Sequence, residues 1–164
     1  MAPLRPWAVP APCLKGRPRH SASRSNFGFG WFNAYGHAAE ANDADLAVHL
    51  GDYIYEYAAG TYPDTEQGVA ERVLAPTTEI VALTDYRLRY ATYRADPDCQ
   101  RLHQVLPMIV VWHDHESAND AYKDGAQNHQ SETEGDWAAR KAAAEQAYRE
   151  WMPVSDAPYA AYQV

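Results

Sequence analysis

The sequence predicts an α/β fold, and three observations point to it. Two short apolar runs, one inside Asp45–Asp52 and one at Pro107–Trp112, each deliver a cluster of ionisable residues at their ends. A stretch with helical spacing lies between them, and a second long amphipathic stretch follows the later run. Strand, helices, strand, helix is the order that gives a parallel strand pair joined by crossover helices.

The elements follow in order along the chain. Residues 1 to about 25 carry Pro3, Pro6, Pro10, Pro12 and Pro18 with Arg and Ser between them and no period, which predicts an unstructured start. Order is expected from Asn26. The aromatic turn Phe27-Gly28-Phe29-Gly30-Trp31 leads into a short helix over about Phe32 to Ala41, with Phe32, Tyr35 and Ala39 on one side. In Asp45–Asp52, Leu46, Val48 and Leu50 alternate with small or aromatic residues and predict a short, largely buried strand ending in Gly51-Asp52. Gly, Pro, Thr and acidic residues from Tyr57 to Thr78 imply a long excursion.

Helix resumes near Thr84, with Tyr86, Tyr90 and Tyr93 on a core face and Arg87 and Arg89 on the other. Asp96-Pro97 breaks it and starts another helix through Leu102. The second strand, Pro107–Trp112, ends in His113-Asp114-His115-Glu116. A last helix runs from about Trp137 to Trp151, with Trp137, Ala144, Tyr148 and Trp151 as its buried stripe, and Pro153 stops it. Arg140 reads as part of its solvated face, although it could reach a phosphate; His49 reads as a core histidine and His129 as a possible ligand.

Composition narrows the function classes. The 164 residues are 46% apolar and 22% charged, ordinary for a soluble domain. Twelve Tyr and 5 Trp against 3 Phe suit a wet, half-buried cleft, because these rings carry a polar handle. A formal net charge of -8 argues against nucleic-acid binding through a basic surface. Cys13 and Cys99 sit in dissimilar surroundings and suggest neither CxxC chemistry nor a disulfide framework. No window approaches the ~18 consecutive apolar residues of a membrane span. The basic, Pro-rich start lacks the ~7–15-residue apolar core of a secretory signal.

In parallel sheets, ligands bind outside the carboxyl ends of the strands, and both ionisable clusters sit there. Gly51 lets the chain turn off a strand and approach an ion closely. Asp52 then presents a carboxylate able to bridge two cations, and Tyr55, three residues on, offers a phenolate oxygen suited to a hard ferric ion. The plain alternative is that Asp52 caps the next turn. Four ionisable side chains after six apolar ones must face solvent or metal, because burying them without partners costs several kcal/mol. Asp114 can ligate, and His115 can protonate a leaving oxygen or stabilise a transferring phosphoryl group. Two cations roughly 3.5–4 Å apart generate hydroxide at neutral pH, align it and neutralise developing charge, which is what hydrolysis of an anionic phosphoester needs.

Gly-Asp-x-x-Tyr followed much later by Asp-His-Glu after a buried strand resembles the calcineurin-like metallophosphoesterases and, among them, the alkaline phosphatase D (PhoD-like) family. The stretches that carry the resemblance are Asn26–Ala39, Asp45–Tyr57, Asp85–Pro97, Val111–Asn119, Gly125–His129 and Asp136–Pro153. The resemblance implies a metallophosphoesterase β-sandwich flanked by helices, of which residues 26–164 are the first part, truncated at the C-terminus after a disordered or misread start at 1–25. It implies Asp52 as the metal-bridging carboxylate, Tyr55 as a ligand on the ferric side, Asp114 as a ligand of the second metal, and His115 and Asn119 as catalytic residues at the substrate phosphate. It also implies two or more metal ions, iron and calcium, a small phosphoester or a phosphodiester polymer as substrate, and export to the periplasm or cell surface.

Three departures stand out. The pattern Trp-Asp-Asp-His-Glu has His113 at its first Asp, an early Ser-Cys pair whose Cys ligates iron is Ser23-Arg24, and the later Asp and His ligands have no counterpart. Two other readings follow: a truncated, non-catalytic product or binding fragment, and an HD-type phosphohydrolase suggested by His113-Asp114. The HD reading requires helical backbone from Pro107 through Asp114.

Overall fold

The computed structural model describes residues 19–41 and 43–154. Among these, three strands form one parallel sheet in the order β1-β2-β3: β1 His20–Ala22, β2 Ala47–His49 and β3 Met108–Val110. The register pairs His20 with Ala47 and Ala47 with Met108. Beyond the strands, Leu50 N–H donates to Ala22 O at 2.8 Å and Val111 N–H to His49 O at 2.9 Å, so the three strand ends stay aligned as the chain leaves the sheet.

The helices supply about half of the core. Helix α1, Asn33–Ala41, crosses from β1 to β2 and packs on α3, Pro97–Val105. Helix α2, Leu83–Arg94, packs on α5, Trp137–Trp151; a short α4, Ser131–Glu134, precedes α5. Asp96 starts α3 by accepting the N–H groups of Asp98 and Cys99 at 2.9 and 3.0 Å, with Pro97 in the first turn, where its missing N–H costs nothing. Asp136 caps α5 through Ala138 N–H.

Tyr86, Tyr90 and Tyr93 form the predicted core face of α2 and are each at most 1% exposed. Burying rings of this size contributes roughly 4 kcal/mol each before entropy is charged against it. Two of their hydroxyls find partners: Tyr86 donates to Ser117 O at 2.6 Å, and Tyr93 accepts from Phe27 N–H at 3.2 Å. Cys99, the free thiol of this core, is fully buried; Cys13 lies outside the described residues, as do residues 1–18 of the expected unstructured start and 155–164.

Several expectations need correction. The ordered chain begins before Asn26, because His20–Ala22 gains strand structure by pairing with β2 rather than from any apolar run of its own. Strand β2 faces the other way from the alternation of Leu46, Val48 and Leu50: Ala47 and His49 point into the core, while Leu50 is 54% exposed. His49 is held there by Ser25 Oγ at 2.8 Å and the Tyr35 hydroxyl at 2.9 Å. Burial pulls its pKa down to about 4, so it is neutral at pH 7. Arg89 and Arg140, expected on solvated faces, are both buried. Arg89 donates to the carbonyls of Tyr55, Tyr57, Pro76 and Thr78, and Arg140 pairs with Glu79 and Glu134 at 2.8 Å each. His113-Asp114 follows a strand, which removes the HD-type reading.

Candidate metal centre

The carboxyl ends of all three strands open onto one cleft of about 360 Å³. Each strand contributes: Arg24 after β1, Asp52 and Tyr55 after β2, and His113, Asp114 and His115 after β3. Asn119, Asp120, Tyr57 and Tyr62 complete the lining.

Gly51 makes the exit from β2 possible. Its φ of +94° lies in the left-handed region, and a Cβ there would overlap His113 Cβ and sit 3.2 Å from His113 N. Asp52 follows with φ of +56°. Arg24 and Asp120 are the other two non-glycine residues with positive φ among those described, and all three line the cleft. Such conformers cost of order 1–3 kcal/mol each and gather where a site needs its side chains in set positions.

The donor atoms converge. Asp52 is 4% exposed, and its Oδ1 lies 2.8 Å from His113 Nδ1; the same nitrogen lies 2.6 Å from Asp114 Oδ1. One atom from each of these three residues falls within 4.8 Å of the others, an arrangement that can hold a metal ion. Burial pulls the His113 imidazole down, but Asp52 and Asp114 outweigh it and hold its pKa above the ordinary value. Asp114 is pushed up by burial, yet its pKa is net lowered by the Asp120 N–H and by His115 and His113. Its Oδ2 accepts that Asp120 N–H at 2.7 Å. The Tyr55 hydroxyl lies 3.5 Å from Asp52 Oδ2. Burial, then the Asp52 charge, raises its pKa, so it enters the site as a phenol.

The second set of residues is positioned by Glu56. This fully buried carboxylate accepts from Asn119 N–H at 2.6 Å and Asn128 Nδ2 at 3.0 Å, and it lies 2.8 Å from His115 Nδ1. Burial disfavours charge on His115, but the Glu56 contact overcomes this and raises its pKa. With Nδ1 taken, Nε2 is the ring nitrogen left for a ligand. The Asn119 side chain reaches Gln127 Oε1 at 2.9 Å.

The residues named from the sequence, Asp52, Tyr55, Asp114, His115 and Asn119, thus all line the one cleft. His129 does not: it is buried against Glu134 at 3.1 Å and Trp137. Sequence reasoning passed over Glu56 and Glu116, whose signal was an acidic residue directly beside each ligand motif. His113, a departure from the family pattern in the sequence, has its imidazole between the two carboxylates.

A cation with nitrogen and oxygen donors fits Asp52, His113 and Asp114. The Tyr55 side of Asp52 does not fit a second ion in this arrangement. Arg24 Nε lies 4.0 Å from Asp52 Oδ2 on a side chain that is 80% exposed, and a guanidinium has no lone pair to offer a metal.

The model of the PhoD-like phosphatase family matches residues 20–163. Alkaline phosphatase D of Bacillus subtilis (strain 168) is 39% identical over 133 residues, which are 81% of this chain and 22% of that protein. A solved structure of PhoD superposes with a TM-score of 0.73 at 36% identity, covering 84% of this chain and 25% of the other. The chain therefore spans a quarter or less of the length of these relatives.

Proposed function

The chain belongs to the PhoD-like phosphatase family, and from that premise we propose that it carries part of a metal-dependent site for hydrolysing phosphomonoesters and phosphodiesters. The observation that supports this reading is the convergence of donor atoms from Asp52, His113 and Asp114 within 4.8 Å, at the ends of two neighbouring parallel strands. In this reading those three residues hold a cation, which supplies Lewis acidity to the phosphoryl oxygen and acidifies bound water. Calcium, one of the two metals the resemblance implies, suits the carboxylate oxygens. Iron, the other, finds no fitting donor set on the Tyr55 side, where Arg24 stands beside Asp52.

The remaining residues act on the substrate. His115, whose protonated form the Glu56 contact favours, donates its Nε2 proton to the leaving oxygen as that bond breaks. Asn119, whose backbone Glu56 fixes, offers its amide to a phosphoryl oxygen. Tyr55 as a phenol donates to Asp52 and steadies it.

A second reading, ion or phosphate binding without turnover, draws support from Arg24, which stands beside Asp52 and weakens that end of the centre for cations. One experiment separates the two. Metal content is measured together with turnover of p-nitrophenyl phosphate and its bis-ester, in the unchanged chain and in D52N and D114N. Hydrolysis that depends on added metal and falls at least 100-fold in both variants supports catalysis. Retained metal with no turnover supports the second reading, and no metal retention at all overturns both.

A further inference from the structure

We infer that Arg24 is the phosphate anchor of the cleft, binding two oxygens of the substrate's phosphoryl group while Asp52, His113 and Asp114 hold the cation beside it. The inference rests on the phosphoester reading of the same site and adds to it the group that recognises the anion.

Charge is the first argument. Of the ten residues lining the cleft, three are aspartates and one, Arg24, carries a fixed positive charge. A dianionic phosphate entering this space meets the carboxylates of Asp52, Asp114 and Asp120. A single divalent cation offsets two of these three charges, and the fixed charge of the guanidinium offsets the third, which favours an anion in the cleft.

Position is the second. Arg24 takes a left-handed conformation, φ +57°, which costs of order 1–2 kcal/mol for a residue with a Cβ. It is kept there by bonds to the segment that carries the metal ligand: Arg24 N–H donates to Gly51 O at 3.2 Å, and Ser25 N–H to Asp52 O at 2.8 Å. The two segments move together, so the spacing of Arg24 from Asp52 is set by the backbone.

Availability is the third. The 4.0 Å approach of Nε to Asp52 Oδ2 is long for an ion pair, and 80% of the side chain is exposed. An exposed pair of this kind is worth little, about 0–1 kcal/mol. A guanidinium presents five N–H donors in a planar fork that matches two phosphate oxygens, a geometry lysine lacks.

The test measures inorganic phosphate binding by calorimetry with calcium present, and calcium binding alone, in the unchanged chain and in R24Q, R24K and D114N. R24Q is expected to weaken phosphate at least tenfold while calcium affinity stays within threefold, and R24K to recover part of the loss. Melting temperatures confirm that the variants fold, as the exposure of Arg24 leads one to expect. Phosphate affinity in R24Q within twofold of the unchanged chain overturns the inference, as does failure of the unchanged chain to bind phosphate. Neither result touches the metal centre, whose own failure shows separately as calcium binding indifferent to D114N.

Discussion

Glu116 and Asp52 are 64 residues apart, yet the Glu116 Oε2 accepts the Asp52 N–H at 3.2 Å. The same oxygen accepts His113 N–H at 2.8 Å, and Oε1 accepts Tyr53 N–H at 2.6 Å. One buried carboxylate therefore ties the exit of β2 to the exit of β3, the relationship that brings the donor atoms together. Tyr53 extends the same tie inward, with its hydroxyl 2.9 Å from His103 Nε2 and 3.1 Å from Cys99 Sγ.

The Glu116 tie has a pH signature. Burial pushes its pKa up from 4.5 to about 7, and the three N–H bonds pull downward without cancelling that. The folded state thus binds the proton more tightly than the unfolded chain, so stability falls as pH rises across this window. The contribution is fully present below pH 4.5 and is lost as pH passes about 7. E116Q keeps the shape and cannot titrate. Urea midpoints from pH 4 to 8 should decline less in E116Q than in the unchanged chain; parallel profiles would contradict the assignment.

A second pH effect concerns the cation. A cation held by the oxygens of Asp52 and Asp114 competes with the proton on His113, which the same two carboxylates hold more firmly than in a free histidine. Calcium binding should therefore release a proton and strengthen as pH rises past the elevated pKa of His113. H113N offers an oxygen and no titrating group, so its calcium affinity should be flatter between pH 6 and 8. Calorimetry in two buffers of different ionisation enthalpy counts the protons, and a count of zero for the unchanged chain would sink the prediction.

How much of this was legible in the sequence depends on whether the cause was local. Asp52 and Asp114 were placed at one edge from the sequence because a short apolar run ending in ionisable residues carries its own signature, and parallel pairing puts both ends together. The tyrosine face of α2 and the limits of α5 were legible for the same reason. Arg89 and Arg140 misled because charge at helical spacing reads as an outer face. Their partners, carbonyls from the excursion before α2 and glutamates elsewhere in the chain, leave no mark on the helices themselves. Strand β1 exists through its partner β2, and the inward turn of His49 through Ser25 and Tyr35, so neither had a local sign.

Arg89 supports a prediction about the fold and the cleft together. It is fully buried, and its two NH groups serve the carbonyls of Tyr55, Tyr57, Pro76 and Thr78. Removing a buried charged donor leaves those acceptors unpaired, a loss of about 3 kcal/mol. R89M should lower the melting temperature and loosen Tyr55, whose carbonyl it holds, so that calcium affinity falls as well. R89K should recover little, because one ammonium cannot span four carbonyls. A stability loss below about 1 kcal/mol in R89M would show that the network is dispensable.

Gly51 gives the sharpest test of how close β2 and β3 must come. Both Gly51 and Gly135 have positive φ, +94° and +83°, so an added Cβ strains the backbone at either position. They differ in surroundings: a Cβ at Gly135 meets nothing within 4 Å, whereas one at Gly51 overlaps His113 Cβ. G135A should therefore report the conformational cost alone, of order 1–3 kcal/mol because its ψ of -157° puts it in a region that only glycine populates readily, with calcium binding unchanged. G51A adds steric pressure that rigid strand ends relieve only by separating, which moves His113 and Asp114 away from Asp52. It should cost about 3 kcal/mol in total and weaken calcium binding at least tenfold. Measuring melting temperature and calcium affinity for both variants isolates the difference. If G51A matches G135A in both, the strand ends have slack, and the cleft does not depend on the close approach that Gly51 permits.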